Sequence, residues 1–328
     1  YQRNTRDLLL SVNVPTITGF STAFKNIGEM ENKGWEFGLN TRNLVGAFSW
    51  NTSLNLSFNR NEVLALGPTG DAIKSGSGVG ETNITVIGEP IGSFYGYKQI
   101  GVFRDAADVN SYPHVATTRP GDVKYEDVNG DKVINADDRT IIGNNQPEFI
   151  YGMANTFNFK GFDLSVAIQG VEGAKILNLG RRFFENVEGS QNQLSHVLNR
   201  WRSPSEPGNG VIPRANGSTT GMNNAVSSRW VEDASYLRIN NITFGYQLPK
   251  NILQRVKLQQ ARIYLSVQNV YTWTKYLNYN PEASNYEAST PVTNNSGGTV
   301  AGSPLTGGVD YGAYPLARTY TLGINLGF

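Results

Sequence analysis

Cysteine is absent from the 328 residues, which excludes a disulfide framework and thiol catalysis and is compatible with an oxidising or cell-surface environment. No apolar run is long enough for a membrane helix, so only a closed β-barrel, which satisfies every backbone group internally, could carry this chain across a bilayer. Net charge is +1 with no dense Lys/Arg run, and nucleic acid is excluded as a partner. The two histidines, His114 and His196, lie far apart without metal-ligand spacing and read as surface residues. There is no GxSxG nucleophile motif and no distinguishable acid/base carboxylate pair, so an enzyme is not expected and no catalytic residue is assigned. The first residues, Tyr1-Gln-Arg-Asn-Thr-Arg6, contain neither an initiator methionine nor a signal peptide and run straight into a strand-like stretch. The expectation is a C-terminal piece of a longer protein, with a removed signal peptide as the alternative.

What the chain has is alternation. Tyr320, Leu322, Ile324, Leu326 and Phe328 fall on one face of the last strand, with Thr, Gly and Asn between them. Phe48, Trp50, Thr52, Leu54, Leu56 and Phe58 alternate with Ser and Asn in the same way. Met153, Phe157 and Phe159 follow, then Leu164, Val166 and Ile168, then Ile263, Leu265 and Val267. Each stretch runs about ten residues, the length of a tilted membrane-crossing strand. The fold class read from this is all-β: an antiparallel transmembrane β-barrel wall of about eight strands, counting a weak first one near residues 3–12. In that reading Leu54, Leu56, Val166, Ile168, Leu265 and Val267 face lipid, and Asn55, Ser165 and Gln268 face the interior. A secreted β-sandwich would show the same period with the apolar face as its core.

Connection lengths separate into two classes. Asn43-Leu-Val-Gly-Ala47 and Lys160-Gly161 are tight turns, and residues 249–260 form a modest linker with room for a short helix. Residues 60–148, 171–235 and 271–317 are long and rich in Gly, Asn, Ser, Thr and Pro. If the last strand descends to the periplasm, strict alternation places every short turn on the periplasmic side and every long loop outside, the asymmetry of outer-membrane barrels. The strand-like run 91–103 would break that alternation and is assigned to the long loop. Between Ile239 and Ile242 the apolar phase shifts, which predicts a β-bulge.

The sharpest local motif runs from Asp127 to Asp138. Oxygen side chains at Asp127, Asn129, Asp131, Asn135 and Asp138, with the Val133 carbonyl between them, have the spacing of an EF-hand-type loop and predict a structural Ca2+ site. Lys132 occupies the position where such loops carry glycine and is expected to need positive φ, and Asp138 replaces the usual bidentate Glu. An Asx-rich solvated turn is the alternative. Ser75-Gly-Ser-Gly-Val-Gly80 lacks phosphate-loop spacing and reads as a flexible loop. Phe94, Tyr95, Tyr97, Trp201, Trp230, Tyr236, Trp273, Tyr276 and Tyr279 cluster near strand ends, where rings can stack on sugars, pack a partner, or form an interfacial girdle or a loop core. No substrate-contacting residue is assigned among them.

With strands, loops and acidic motif in hand, the chain resembles the SusC/RagA-like TonB-dependent transporters of Bacteroidetes outer membranes. The resemblance is carried by Thr5-Arg-Asp-Leu-Leu-Leu10, Asn32-Lys-Gly-Trp-Glu-Phe37, residues 92–97, 121–131 and 138–143, Ser228-Arg-Trp-Val-Glu-Asp233 with residues 234–238, Gln268-Asn-Val-Tyr-Thr-Trp273 and the terminal strand, in order along nearly the whole chain. It implies a 22-stranded barrel around an N-terminal plug, with residues 1–328 as the C-terminal part of the wall. Plug and signal peptide would lie outside this chain. It further implies TonB, reached through the plug, and a SusD-like surface lipoprotein as partners, beside the remainder of the barrel and outer-membrane lipid. Import of oligosaccharides or peptides would be driven by the inner-membrane proton gradient. A calcium-stabilised glycan-binding or adhesion module of the sandwich type is the rival reading, and a glycan hydrolase the weakest.

Overall fold

The computed structural model describes residues 1–13, 17, 22–67, 69–76, 79–217, 221–255, 257–282, 292–293, 299–300 and 304–328. Eight antiparallel strands make one sheet, each hydrogen-bonded to the next in the order β1 (Gln2–Asn13), β2 (Thr22–Leu44), β3 (Phe48–Leu66), β4 (Phe149–Phe159), β5 (Phe162–Glu172), β6 (Tyr236–Gln247), β7 (Gln260–Thr274) and β8 (Thr319–Gly327). This is the expected strand set. The long connection expected from residue 60 begins later, because the β2–β3 hairpin continues to Leu66 opposite Gly28. Three short connections lie at one end of the sheet: residues 45–47, the pair 160–161, and 248–259 with helix α1 (Lys250–Arg255) inside it; residues 14–21 join β1 to β2 at the other end. Lys160 and Gly161 both take positive φ, 46° and 87°, the signature of a two-residue hairpin whose twist matches its strands.

Register shows why alternation matters. Leu39, Leu54, Met153, Ile168, Ile239 and Tyr271 stand opposite one another across β2 to β7. Trp50, Phe157, Leu164, Phe244, Leu265 and Leu322 form a second such row on the same side. The reverse face carries Asn51, Thr156, Ser165, Thr243, Ser266 and Thr321 in one row and Ser53, Ala154, Ala167, Asn241, Gln268 and Thr319 in the next. Thus Leu54, Leu56, Val166, Ile168, Leu265 and Val267 share one face, and Asn55, Ser165 and Gln268 share the other. Polar side chains on the apolar side bond one another: Trp50 Nε1 and Thr52 Oγ1 both donate to Asn155 Oδ1 at 2.9 and 2.7 Å, and Asn43 Nδ2 donates to Thr52 Oγ1 at 2.7 Å.

The predicted bulge is present. Asn241 pairs with Ala167 and Ile239 with Ile168, so Asn240 is left unpaired and the apolar phase is restored on its far side. The neighbouring strand adjusts at the same level, where Asn269 takes φ 52° and its Nδ2 donates to the Ala317 carbonyl.

Among the described residues no second layer covers the apolar face. Leu322 is 76% exposed and Trp35 73%, and Phe37, Leu39, Phe244, Leu265 and Ile324 are exposed beside them. The buried core lies instead in the long connections, beyond one end of the sheet. There Phe94, Leu177, Leu179, Val226, Trp230 and Val309 pack as one cluster and Tyr97, Val123, Tyr125 and Ile134 as another. Residues 91–103 fall in this assembly, as expected: Ser93–Gly96 pairs with Glu81–Thr85 and Thr140–Gly143, and Gln99–Val102 pairs with Val123–Tyr125. Of the segment read as a flexible loop at 75–80, Ser75 and Gly76 belong to a strand, and positions 77 and 78 lie outside the described residues. Ile73–Gly76 pairs with Glu81–Thr85, and a Cβ at Gly76 would lie 2.0 Å from the Gly80 carbonyl oxygen, so glycine there serves close backbone approach.

Candidate functional site: inner wall and loop assembly

The polar face of the sheet is a wall of short, mutually bonded side chains. Asn241 Nδ2 donates to Ser266 Oγ at 3.0 Å, and Thr243 Oγ1 donates to Asn241 Oδ1 at 2.8 Å. At its loop end the wall becomes charged. Arg238, 2% exposed, donates through Nε to Thr272 Oγ1 at 2.8 Å and through Nη1 to Glu282, which also accepts from the Tyr236 hydroxyl and from Gln169 Nε2. One carboxylate from a long connection is thereby fixed against β5 and β6.

Buried acids organise the loops above. Asp122, fully buried, accepts from the Arg119 amide at 2.8 Å, Arg214 Nε at 2.8 Å and Asn223 Nδ2 at 2.9 Å. Glu232 accepts from Asn178 Nδ2 and Arg181 Nη1 of its own connection and from the Leu277 amide, tying the β5–β6 connection to the one between β7 and β8. Asp310 accepts from the Tyr276 hydroxyl, Asn278 Nδ2 and the amides of Gly312 and Ala313. Burial pushes the Tyr276 phenol upward, and its bond to Asp310 adds to the shift. Each carboxylate meets enough donors to offset its desolvation, which lets polar connections pack without a large apolar core. These anchors were not singled out from sequence, because an Asp or Glu in a Gly- and Asn-rich stretch carries no periodic signal.

Around Trp230 the balance is less complete. Arg181 and Arg229 both lie over its ring, at 5.6 and 4.4 Å from the centroid. Burial lowers the Arg229 guanidinium to about 10. Glu188 is 4% exposed with neither carboxylate oxygen hydrogen-bonded to protein, and burial, with Asp122 nearby, pushes it above the usual carboxylate range.

The acidic loop is a nest of Asx turns. Asp127 accepts from the amides of Gly130 and Lys132 at 2.7 and 2.9 Å, Asn129 from Asp131 at 3.0 Å, and Asp131 from Val133 at 2.8 Å. Asn135 caps a 3-10 turn at Ala136–Asp138, and buried Asp138 accepts from the amides of Val128 and Asn135 at 2.9 and 2.8 Å. Lys132 takes φ 69°, the conformation its position demands, and Val133 is 52% exposed. Among the described residues no three His, Cys, Asp or Glu side chains come together in a way that could hold a metal ion. The side chains of Asp127, Asn129, Asp131, Asn135 and Asp138 thus each accept a backbone N–H group within this stretch.

The aromatics are mostly loop core. Phe94, Tyr95, Tyr97, Trp201, Trp230, Tyr236 and Tyr276 are buried, with Trp201 Nε1 donating to the Arg104 carbonyl and Trp230 Nε1 to the Ala225 carbonyl. Trp273 sits on the apolar face beside Tyr271, rings edge to face at 4.7 Å, in the manner of an interfacial girdle, and Tyr279 is exposed. The histidines are more engaged than sequence indicated. His114 Nδ1 contacts the Tyr112 carbonyl at 2.8 Å with its ring edge-on to Phe103, and His196 Nε2 lies against buried Glu185, which Arg181 Nε meets at 2.7 Å. Local sequence could not reveal this, since Glu185 lies 11 positions from His196.

No protein-family model matches the chain. It is 36% identical, over its whole length, to TonB-dependent receptor P3 of Formosa agariphila, covering 32% of that protein. It is 27% identical to TonB-dependent receptor SusC of Bacteroides thetaiotaomicron, again over the whole chain, covering 29% of it. In fold it is similar to a chain of the RagAB peptide transporter, with TM-score 0.76 and 24% identity across 99% of this chain and 32% of that one. The chain therefore spans about a third of the length of the relatives it matches. The resemblance to SusC/RagA-like receptors holds from end to end, and the eight-stranded sheet has the fold found in a TonB-dependent transporter.

Proposed function

We propose that this chain, a relative of the SusC- and RagA-type TonB-dependent receptors, supplies part of the barrel wall and several extracellular loops of an outer-membrane nutrient importer. One observation carries the reading: the apolar face of the sheet is continuous across the strands and uncovered, while the opposite face is polar. A sandwich buries its apolar face between layers, and a barrel turns it outward to lipid. Rows led by Trp50 and Leu54 then meet lipid, the Ser, Thr and Asn rows line the lumen, and the loop assembly faces the cell exterior.

In this reading the remaining strands of the barrel close onto β1 and β8, and a plug elsewhere in the protein links the lumen to TonB and the proton gradient. A SusD-like lipoprotein works with the loop assembly to deliver oligosaccharide or peptide. No covalent chemistry is required, and the protein is not an enzyme. Calcium belongs to the same reading: Asp127, Asn129, Asp131, Asn135, Asp138 and the Val133 carbonyl would gather on one structural Ca2+, the five side chains sharing oxygens that already accept backbone N–H groups. Fractionation of producing cells tests the whole. Recovery of the intact protein in the detergent-extracted outer-membrane fraction, with uptake lost when TonB is removed, is the expected result; a protein soluble without detergent overturns it.

A further inference from the structure

Where the inner wall meets the loop assembly there is a cavity of about 430 Å3, between Ile150, Val171 and Tyr236 of the wall and Pro147, Ile176 and Pro281 of the connections. Its size falls in the range of small-ligand sites, about 300–1,000 Å3. Two charged side chains reach it. Glu282 is neutralised by Arg238 and holds the Tyr236 hydroxyl and Gln169, so it closes the wall. Lys175 is different: among the described residues it makes no direct ion pair, and its charge is felt only at a distance by Asp233, its partner across the strand pair. It also lines a neighbouring cavity of about 500 Å3 with Glu148, Glu172 and Asp233, so Lys175 borders both.

We propose, resting on the import reading above, that this cavity receives the C-terminal end of a short peptide, its apolar last side chain against Ile150, Val171 and Ile176 and its carboxylate on Lys175. An oligosaccharide fits poorly. Most of its hydroxyls would face Pro147, Ile150, Val171, Ile176 and Pro281, and the two amides in the lining, Asn145 and Gln169, are already bonded to Gln146 and Glu282. The one aromatic in the lining, Tyr236, is 7% exposed and its hydroxyl is already given to Glu282, so no open ring face is offered to a sugar. A peptide terminus presents one apolar group, removed from water, and one anion, met by a charge-assisted hydrogen bond.

The test uses the full-length transporter in detergent, titrated calorimetrically with a leucine-terminated tripeptide, its C-terminal amide, a neutral trisaccharide and a uronate-containing trisaccharide. The free acid should bind about tenfold more tightly than the amide, and Lys175→Gln should erase that difference. Val171→Trp, which fills the cavity from the wall, should weaken both peptides while the protein still reaches the outer membrane. Equal binding of acid and amide, no effect of Lys175→Gln, or a saccharide that binds and is displaced by Val171→Trp overturns the peptide assignment. Saccharide uptake that still depends on TonB would sink this inference alone, whereas loss of outer-membrane location would sink the import reading itself.

Discussion

Arg262 reaches across an intervening strand to Asp163, its Nε donating to Asp163 Oδ1 at 2.9 Å, although β7 and β5 are not neighbours. The ion pair passes over Gly245 of β6, where a Cβ would lie 2.4 Å from Arg262 Nη2 and 2.6 Å from Asp163 Oδ1. The glycine is therefore a gap that lets charges on alternate strands meet on the polar face. Gly245→Ala should break the pair. Both side chains are about a quarter exposed, so the stability lost with Arg262→Ala should be only about 0–1 kcal/mol. The two changes together should cost little more than either alone in denaturant unfolding, and full additivity would show that the bridge is not held over Gly245.

Leu56 shares its row with Phe37 and Tyr151 on the uncovered apolar face, and Asn55 points the other way. Leu56→Arg should destabilise the inserted barrel by about 2–4 kcal/mol if its row lies near the bilayer midplane and about 0–1 near an interface. Spin labels give an independent reading. A lipid-soluble quencher should reach a label at 56 and spare one at 55, and the reverse order would turn the wall inside out.

Calcium titration decides between a cation site and a self-sufficient turn in the acidic loop. Extracellular sites of this class bind at about 10⁻⁴–10⁻³ M, so calorimetry on chelated protein should show binding at millimolar Ca2+. Lys132 holds φ 69°, where glycine carries no steric penalty, and Lys132→Gly should tighten binding. Asp127→Ala with Asp131→Ala should loosen residues 127–138 in hydrogen exchange without unfolding the barrel. Absence of any calcium heat leaves the Asx turn as the sole role.

Buried Glu188 should make the loop assembly pH-dependent. Its carboxyl is raised from 4.5 by burial, and Asp122 adds to this, against the opposing pull of Arg182, Arg229 and Arg214. With the folded pKa above the unfolded one, the folded state holds its proton more tightly. Stability is fully present below about 4.5 and is lost as pH rises through the folded value. Glu188→Gln should remove that loss. Hydrogen exchange of residues 185–189 should slow in the variant relative to the native protein as pH increases, and parallel profiles would show that Glu188 is not the group concerned.

The sequence by itself determined the strand set, the two faces and the sorting of short and long connections. All three follow from a period of two that any ten residues display, and a one-residue slip would have exchanged every Leu and Asn between faces. It also located the bulge near Asn240 and the positive φ of Lys132, because a phase break and a non-glycine in a glycine position are local facts. Only the tertiary structure decided that the apolar face is uncovered, that Phe94 and Trp230 are fully buried core, and that Asp122, Glu232 and Asp310 are the anchors of the loops. Those outcomes depend on groups far apart in the chain: Asn83 Nδ2 meets the Gly307 carbonyl 224 residues away at 3.2 Å, and the Asp163 to Arg262 bridge spans 99 residues. Loops without periodicity acquire their structure from such partners, which no local pattern specifies.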